Sequence, residues 1–276
     1  MQLKTILREW QNEKGDLDNL EEVIKEMLIN IGSVDGELRD SLIYSTFYQL
    51  IENNKLSDSL MVKILEICLS EEYLFKGIGE QDTDTVFTRS FSSLVIALIV
   101  EKDKTKEFLD KQQLEEVYKK TTTYLQSEKD VRGYVEGQGW AHSIAHGADL
   151  FESIISHPSN DILHAEEWLN VIKACIWRDT VLQDDEDERL IFAVEAMIEK
   201  GLPEEMLVEW VHNFESLLEA RLKEQNRIVF YKYRSNVMNF LKSLYFRLTY
   251  LDQNIHTQHQ IKKTLKNLHE AMYKRE

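Results

Sequence analysis

The side chains best placed to do chemistry lie in one run: Arg132-Gly133-Tyr134-Val135-Glu136-Gly137-Gln138-Gly139-Trp140-Ala141-His142-Ser143-Ile144-Ala145-His146-Gly147-Ala148-Asp149-Leu150. Read as a helix from 139 onward, His142, His146 and Asp149 stand at i, i+4 and i+7 and share a stripe roughly 60° wide. Trp140, Ile144, Ala148, Phe151 and Ile155 fall on nearly the opposite side, which predicts that this apolar arc faces the core. Two imidazoles one turn apart can reach a single metal ion, and a carboxylate one turn further can complete three protein ligands. His142, His146 and Asp149 are therefore the candidate metal ligands, for zinc, manganese or iron. The same trio suits proton transfer, with Asp149 orienting an imidazole, and is then the candidate catalytic set. A third reading makes the histidines hydrogen-bonded core groups.

Arginine pairs bidentately with carboxylate or phosphate. Arg89 and Arg132, with Ser90, Tyr134 and Trp140, form the expected ligand-binding set for an anionic group. Salt bridges to Glu80, Asp149 or Glu136 are the structural alternative. The glycines at 133, 137 and 139 predict a loop, but their spacing is not that of a dinucleotide or phosphate-cradling loop. Asp184-Asp185-Glu186-Asp187-Glu188 lacks the alternation of a calcium loop and reads as an acidic helix start, with Glu186 or Glu188 able to reach a site. No Gly-x-Ser-x-Gly elbow is present, and the remaining histidines form no comparable group.

These residues must be positioned by helices. Apolar periodicity predicts helices over 17–31, 36–53, 57–70, 83–101, 106–127, 139–156, 161–178, 185–200, 204–222, 226–250 and 255–273. Ser57 suits a cap, and Pro203 followed by Glu204 and Glu205 suits a first turn. Ten glycines and two prolines in 276 residues are too few for a sandwich or barrel. Arg39-Asp40-Ser41-Leu42, Arg89-Ser90-Phe91-Ser92 and Arg189-Leu190-Ile191-Phe192 each begin an apolar helix, and Trp140-Ala141-His142-Ser143 fills the slot between the last two. A spacing of about 50 residues fits one helix pair and its loops. The expected fold is all-α: a single HEAT-like helical-repeat (α-solenoid) domain of about 11–12 helices over 1–276, with a globular helical bundle as the alternative.

Hydrophobic residues make up 43% and charged residues 30%, which fits a folded domain rather than a disordered chain. A net charge of −16 opposes nucleic-acid binding. The basic stretch from 262 to 274 reads as a solvated helix end. Cys68 and Cys175 stand in apolar helical runs, as reduced thiols do. The N-terminus has no long apolar run, and the most apolar stretch, 91–100, is too short to span a bilayer. A cytoplasmic location without membrane or nucleic-acid partners is the expectation.

Ile78-Gly79-Glu80, Val86-Phe87-Thr88-Arg89-Ser90-Phe91-Ser92, Asp130-Val131-Arg132-Gly133-Tyr134-Val135, the run from Gly139 through Leu150, and Glu188-Arg189-Leu190 together resemble the signature segments of the bacterial domain of unknown function 2785 family, spread from about residue 35 to residue 200. The resemblance implies a mostly helical bacterial protein whose signature segments cluster, and it supplies no activity. Gln138 departs from it, since a lysine is expected between those glycines, and a role for that lysine would be missing here. Two functional readings follow. One is a helical-repeat protein whose polar groove binds a peptide or small acidic ligand. The other is a metal-dependent or acid–base enzyme acting on an anionic substrate through His142, His146 and Asp149.

Overall fold

The helical periodicity of the sequence is realised almost throughout. The computed structural model describes residues 2–13, 17, 19–224 and 226–273, so Asp18 of the first predicted helix and Lys274 of the basic tail lie outside the described residues. Twelve α-helices are present among the described residues, 72% of which are helical, and this makes the fold all-α. Tertiary contacts sort the chain into two units, Met1–Ser159 and Asn160–Glu276. No helix among the described residues is long and apolar enough to cross a membrane.

The first unit contains α1 (Gln2–Gln11), α2 (Leu20–Ile29), a π-helical segment (Glu37–Tyr44) running into α3 (Ser45–Glu52), α4 (Asp58–Cys68), α5 (Thr85–Lys106), α6 (Lys111–Ser127), a two-stranded hairpin of β1 (Tyr134–Val135) and β2 (Gly139–Trp140), and α7 (Ser143–Ser156). At its centre is α5, buried on every side from Val86 to Val100, which is why its sequence is apolar nearly all round instead of striped. It packs against α3, α4 and α7. Its end is fixed by Asp103, whose Oδ1 accepts from the amides of Phe108 and Leu109 at 2.7 Å and whose Oδ2 faces His157 Nε2 at 3.1 Å. Gly147 lets α7 lie close on α6: an added Cβ would sit 2.6 Å from Leu125 Cδ2.

Two predicted elements differ. The segment 36–53 is not one regular α-helix, because its first half takes the wider π turn. The helix expected from 139 begins only at Ser143, since Gly139 and Trp140 pair antiparallel with Val135 and Tyr134, and His142 holds φ 48°. α1 was not among the predicted elements, although Leu3, Ile6, Leu7 and Trp10 have helical spacing.

The second unit contains a 3-10 turn (Ile162–His164), α8 (Ala165–Ile176), α9 (Glu186–Glu199), α10 (Glu204–Leu222), α11 (Arg227–Tyr250) and α12 (Ile255–Tyr273). Buried Asn236 on α11 ties down the loop after α8, accepting from Leu182 N at 3.0 Å and donating to the carbonyls of Ile176 and Thr180. Arg247 clamps Glu195 of α9 with two contacts of 2.8 Å. Glu204, in the first turn of α10, accepts from Thr257 N at 3.0 Å and so fixes the start of α12.

Within the acidic start of α9, Glu186 is buried. Its Oε2 accepts from Asp184 N at 2.8 Å, while Oε1 has no partner among the described residues. Burial, foremost, and nearby Asp184 push this carboxyl above its ordinary value. An acid whose pKa is raised by folding favours the fold when protonated and opposes it once ionised. Glu186→Gln should therefore raise stability at pH 7 by on the order of 1 kcal/mol, and the gain should vanish well below the ordinary glutamate pKa of about 4.3. Urea unfolding at both pH values checks this; a gain equal at the two would contradict it.

Candidate functional site

The predicted site residues of the first unit gather around the hairpin, but not in the arrangement helical spacing implies. Arg39, in the π-helical segment, is fully buried. Its Nη2 donates to the carbonyls of Gln138 at 2.8 Å and Trp140 at 3.0 Å, and its Nη1 to Ser33 O at 2.5 Å. The guanidinium carbon lies 4.1 Å from the ring centroid of Phe87 and 4.8 Å from that of Phe91. Asp40 Oδ1 stands 2.8 Å from Arg39 Nε. Burial lowers the Arg39 pKa and raises that of Asp40, while their mutual attraction opposes both shifts. Gly139, at φ +82°, leaves room for this pair: an added Cβ would lie 3.1 Å from Arg39 Nη2 and 3.3 Å from Asp40 Oδ2. Val135 of the hairpin packs on Val86, Phe87 and Ala141.

From the hairpin a row of rings runs inward. Tyr134 meets Trp140 edge-on at 5.1 Å, and Trp140 stacks on His142 at 4.3 Å and 25°. His142 meets His146 edge-on at 5.5 Å, and His146 meets Phe91 at 5.2 Å. The outer end is open, with Tyr134 53% and Trp140 41% exposed, and the inner end is the buried Phe91. His142 and His146 are half-buried between them. Trp140 is thus not on the apolar arc, whereas Ile144, Ala148, Phe151 and Ile155 are buried as expected.

His142 precedes α7 in a left-handed conformation, just before the helix that carries His146 and Asp149, and its ring meets that of His146. No three His, Cys, Asp or Glu side chains among the described residues come together as a metal site would require. Ser90 is buried, and its hydroxyl donates to the Ala141 carbonyl. His146 Nδ1 lies within hydrogen-bond distance of the same oxygen, at 2.7 Å.

Both arginines expected to grip an anion are committed to carboxylates within the fold. Arg89 is fully buried and pairs with buried Glu128 through Nε at 2.7 Å and Nη2 at 2.9 Å, while Nη1 donates to Lys76 O and Thr85 Oγ1. Glu128 Oε1 also accepts from the amides of Lys129 and Asp130, both at 2.9 Å. Arg132 reaches Asp130 with Nη2 at 2.6 Å and Nε at 2.8 Å, and this bond raises its pKa. The observed partners, Glu128 and Asp130, are not the Glu80, Asp149 or Glu136 proposed from sequence. A cavity of about 340 Å³ in this unit is lined by Asn30, Gly32, Ser33, Tyr73, Lys76 and Thr88 among others, and no predicted site residue lines it.

The model of the family described as a protein of unknown function (DUF2785) matches residues 74–246. The chain belongs to this family. Comparison with curated proteins and with solved structures gives no match. The DUF2785 span takes in every quoted signature segment, although it begins later than residue 35 and extends beyond residue 200. It contains Arg89, Glu128, Asp130, Arg132, the hairpin and both histidines, while Arg39 stands before it.

Arg39 is the site residue that sequence reasoning missed. Its signal lay in the repeat register, where Arg39 and Arg89 hold the same first position and both prove to be buried.

Removing one member of a buried ion pair leaves the other charged and unanswered. Glu128→Ala should cost about 3–5 kcal/mol of unfolding free energy in urea. A loss below about 1 kcal/mol would show that the pair does not anchor the segment leading into the hairpin.

Proposed function

We propose that this chain is a cytoplasmic helical-repeat binding protein whose hairpin receives a peptide presenting a basic side chain. The observation that carries this reading is the exposed pair Tyr134 and Trp140 on a hairpin anchored by a buried guanidinium. Aromatic faces attract cations, and Trp is the strongest of them. Carboxylates stand against the hairpin: Asp40 accepts from the Trp140 amide, Asp84 accepts from Gln138 Nε2 at 3.2 Å, and Glu136 is exposed between the strands. Because Arg89 and Arg132 are already paired, an acidic ligand would meet carboxylates here, and a basic one is favoured.

Two further features support the setting. Cys68 and Cys175 are free and buried, and burial pushes both thiols up, as suits a reducing compartment. Within each unit, helices pack on elements a few places away along the chain, as the members of a helical repeat do.

The test is a titration of the full chain with a lysine-rich and a glutamate-rich peptide, followed through the indole N–H resonances. The Trp140 signal is assigned by its absence in Trp140→Ala. The lysine-rich peptide should shift that signal, and Trp140→Ala should weaken its binding roughly 2- to 30-fold. An unmoved Trp140 signal, or preference for the glutamate-rich peptide, would refute the reading.

A further inference from the structure

A separate face in the second unit carries charge and apolar surface that the hairpin does not use. α11 holds Arg227, Lys232, Arg234, Lys242 and Arg247 and not one Asp or Glu, in a chain of net charge −16. Such segregation is a local reversal of the molecule's sign. Part of it is answered inside the fold: Arg247 is held by Glu195, and Arg234 lies over the Tyr273 ring at 5.6 Å. Among the described residues, no carboxylate forms an ion pair with Lys232 or Lys242.

The same helix presents large apolar groups to solvent. Ile228 is 73% exposed and Tyr250 74%, with Tyr231 and Phe246 also exposed. With Ser235, Asn239 and Lys242 between them, these residues recur at steps of three and four and so share one side of the helix. The opposite side, with Val237, Phe240, Leu241 and Leu244, fills the core. The outer face therefore has two apolar ends, 228/231 and 246/250, separated by roughly 28 Å at the helical rise of about 1.5 Å per residue. A polar middle and lysines complete it.

The chemistry selects among occupants. A second copy laid α11 against α11 would bring cation to cation along the helix, since neither copy offers an acid there. Nucleic acid would find few phosphate partners and gain little from Ile228. A bilayer would have to receive Ser235 and Asn239 along with the apolar ends. A protein helix can place apolar residues at both ends, polar groups opposite the middle and carboxylates opposite the lysines. We infer that the outer face of α11 docks an acidic amphipathic helix of a partner protein, anchored at Ile228/Tyr231 and Phe246/Tyr250 and steered by Lys232 and Lys242.

The test uses the full chain and a labelled synthetic amphipathic helix of roughly 24 residues, with leucines on one face and glutamates on the flanks. Comparison probes are its lysine-for-glutamate counterpart, vesicles containing phosphatidylserine, and a single-stranded DNA oligonucleotide. The acidic helix should bind with an affinity that falls as salt rises, and the basic helix should not. Tyr231→Ala/Phe246→Ala and Lys232→Glu/Lys242→Glu alter exposed or half-buried surface positions, with folding checked by circular dichroism. Each should weaken binding on the order of tenfold or more. Trp140→Ala should leave it unchanged, which separates this surface from the hairpin. No binding of the acidic helix, equal binding of the basic one, binding of vesicles or DNA in its place, or undiminished binding by both double variants would each overturn the inference.

Discussion

A single buried cation governs the geometry of the first unit. A guanidinium removed from water must have its hydrogen bonds and charge answered locally. Arg39 bonds carbonyls at Ser33 and, far along the chain, at Gln138 and Trp140, while the Asp40 carboxylate and the faces of Phe87 and Phe91 answer its charge and its Nε makes no hydrogen bond. The hairpin has only two residue pairs of ladder, and an isolated hairpin is at best marginal in water. It holds its shape because its carbonyls are required elsewhere. The exposed rings of Tyr134 and Trp140 follow from that constraint, since they ride on the strands so fixed.

The other buried charges repeat the pattern. Arg89 with Glu128 and Arg132 with Asp130 tie the end of α6 to the start of α5 and to the strand that follows. Arginines that looked like ligand clamps hold the chain's own loops, while the histidines link a surface ring to a core ring. What is left facing solvent near the hairpin is aromatic and acidic. On α11 of the second unit it is aromatic and basic. Each face thus suits a partner of opposite charge.

Much of this architecture was legible in the residues. Ser57 caps α4 by accepting from Leu60 N, and Glu204 and Glu205 open α10. The arc of Ile144, Ala148, Phe151 and Ile155 faces inward. Local periodicity reports such features because they depend on neighbours three or four residues away. The hairpin was not legible for the opposite reason. Gly137 and Gly139 take positive φ, and His142 joins them without a glycine's freedom, so the helix starts four residues late. The arginine partners lie 39 residues away for Arg89 and about 100 for Arg39, and no local pattern names them. Spacing placed His142 within a helix; the backbone turns there instead, and its ring still meets that of His146 edge-on at 5.5 Å.

The claim that Arg39 holds the hairpin in place is tested most directly by amide hydrogen exchange in Arg39→Lys. Lysine keeps the charge but cannot span three carbonyls with a rigid fork. In that variant the amides of Gln138, Ala141 and His142, protected by bonds to Val135, Gly133 and Arg132, should exchange much faster, while those within α6 are unchanged. Hairpin amides that keep their protection in a folded Arg39→Lys protein would contradict it.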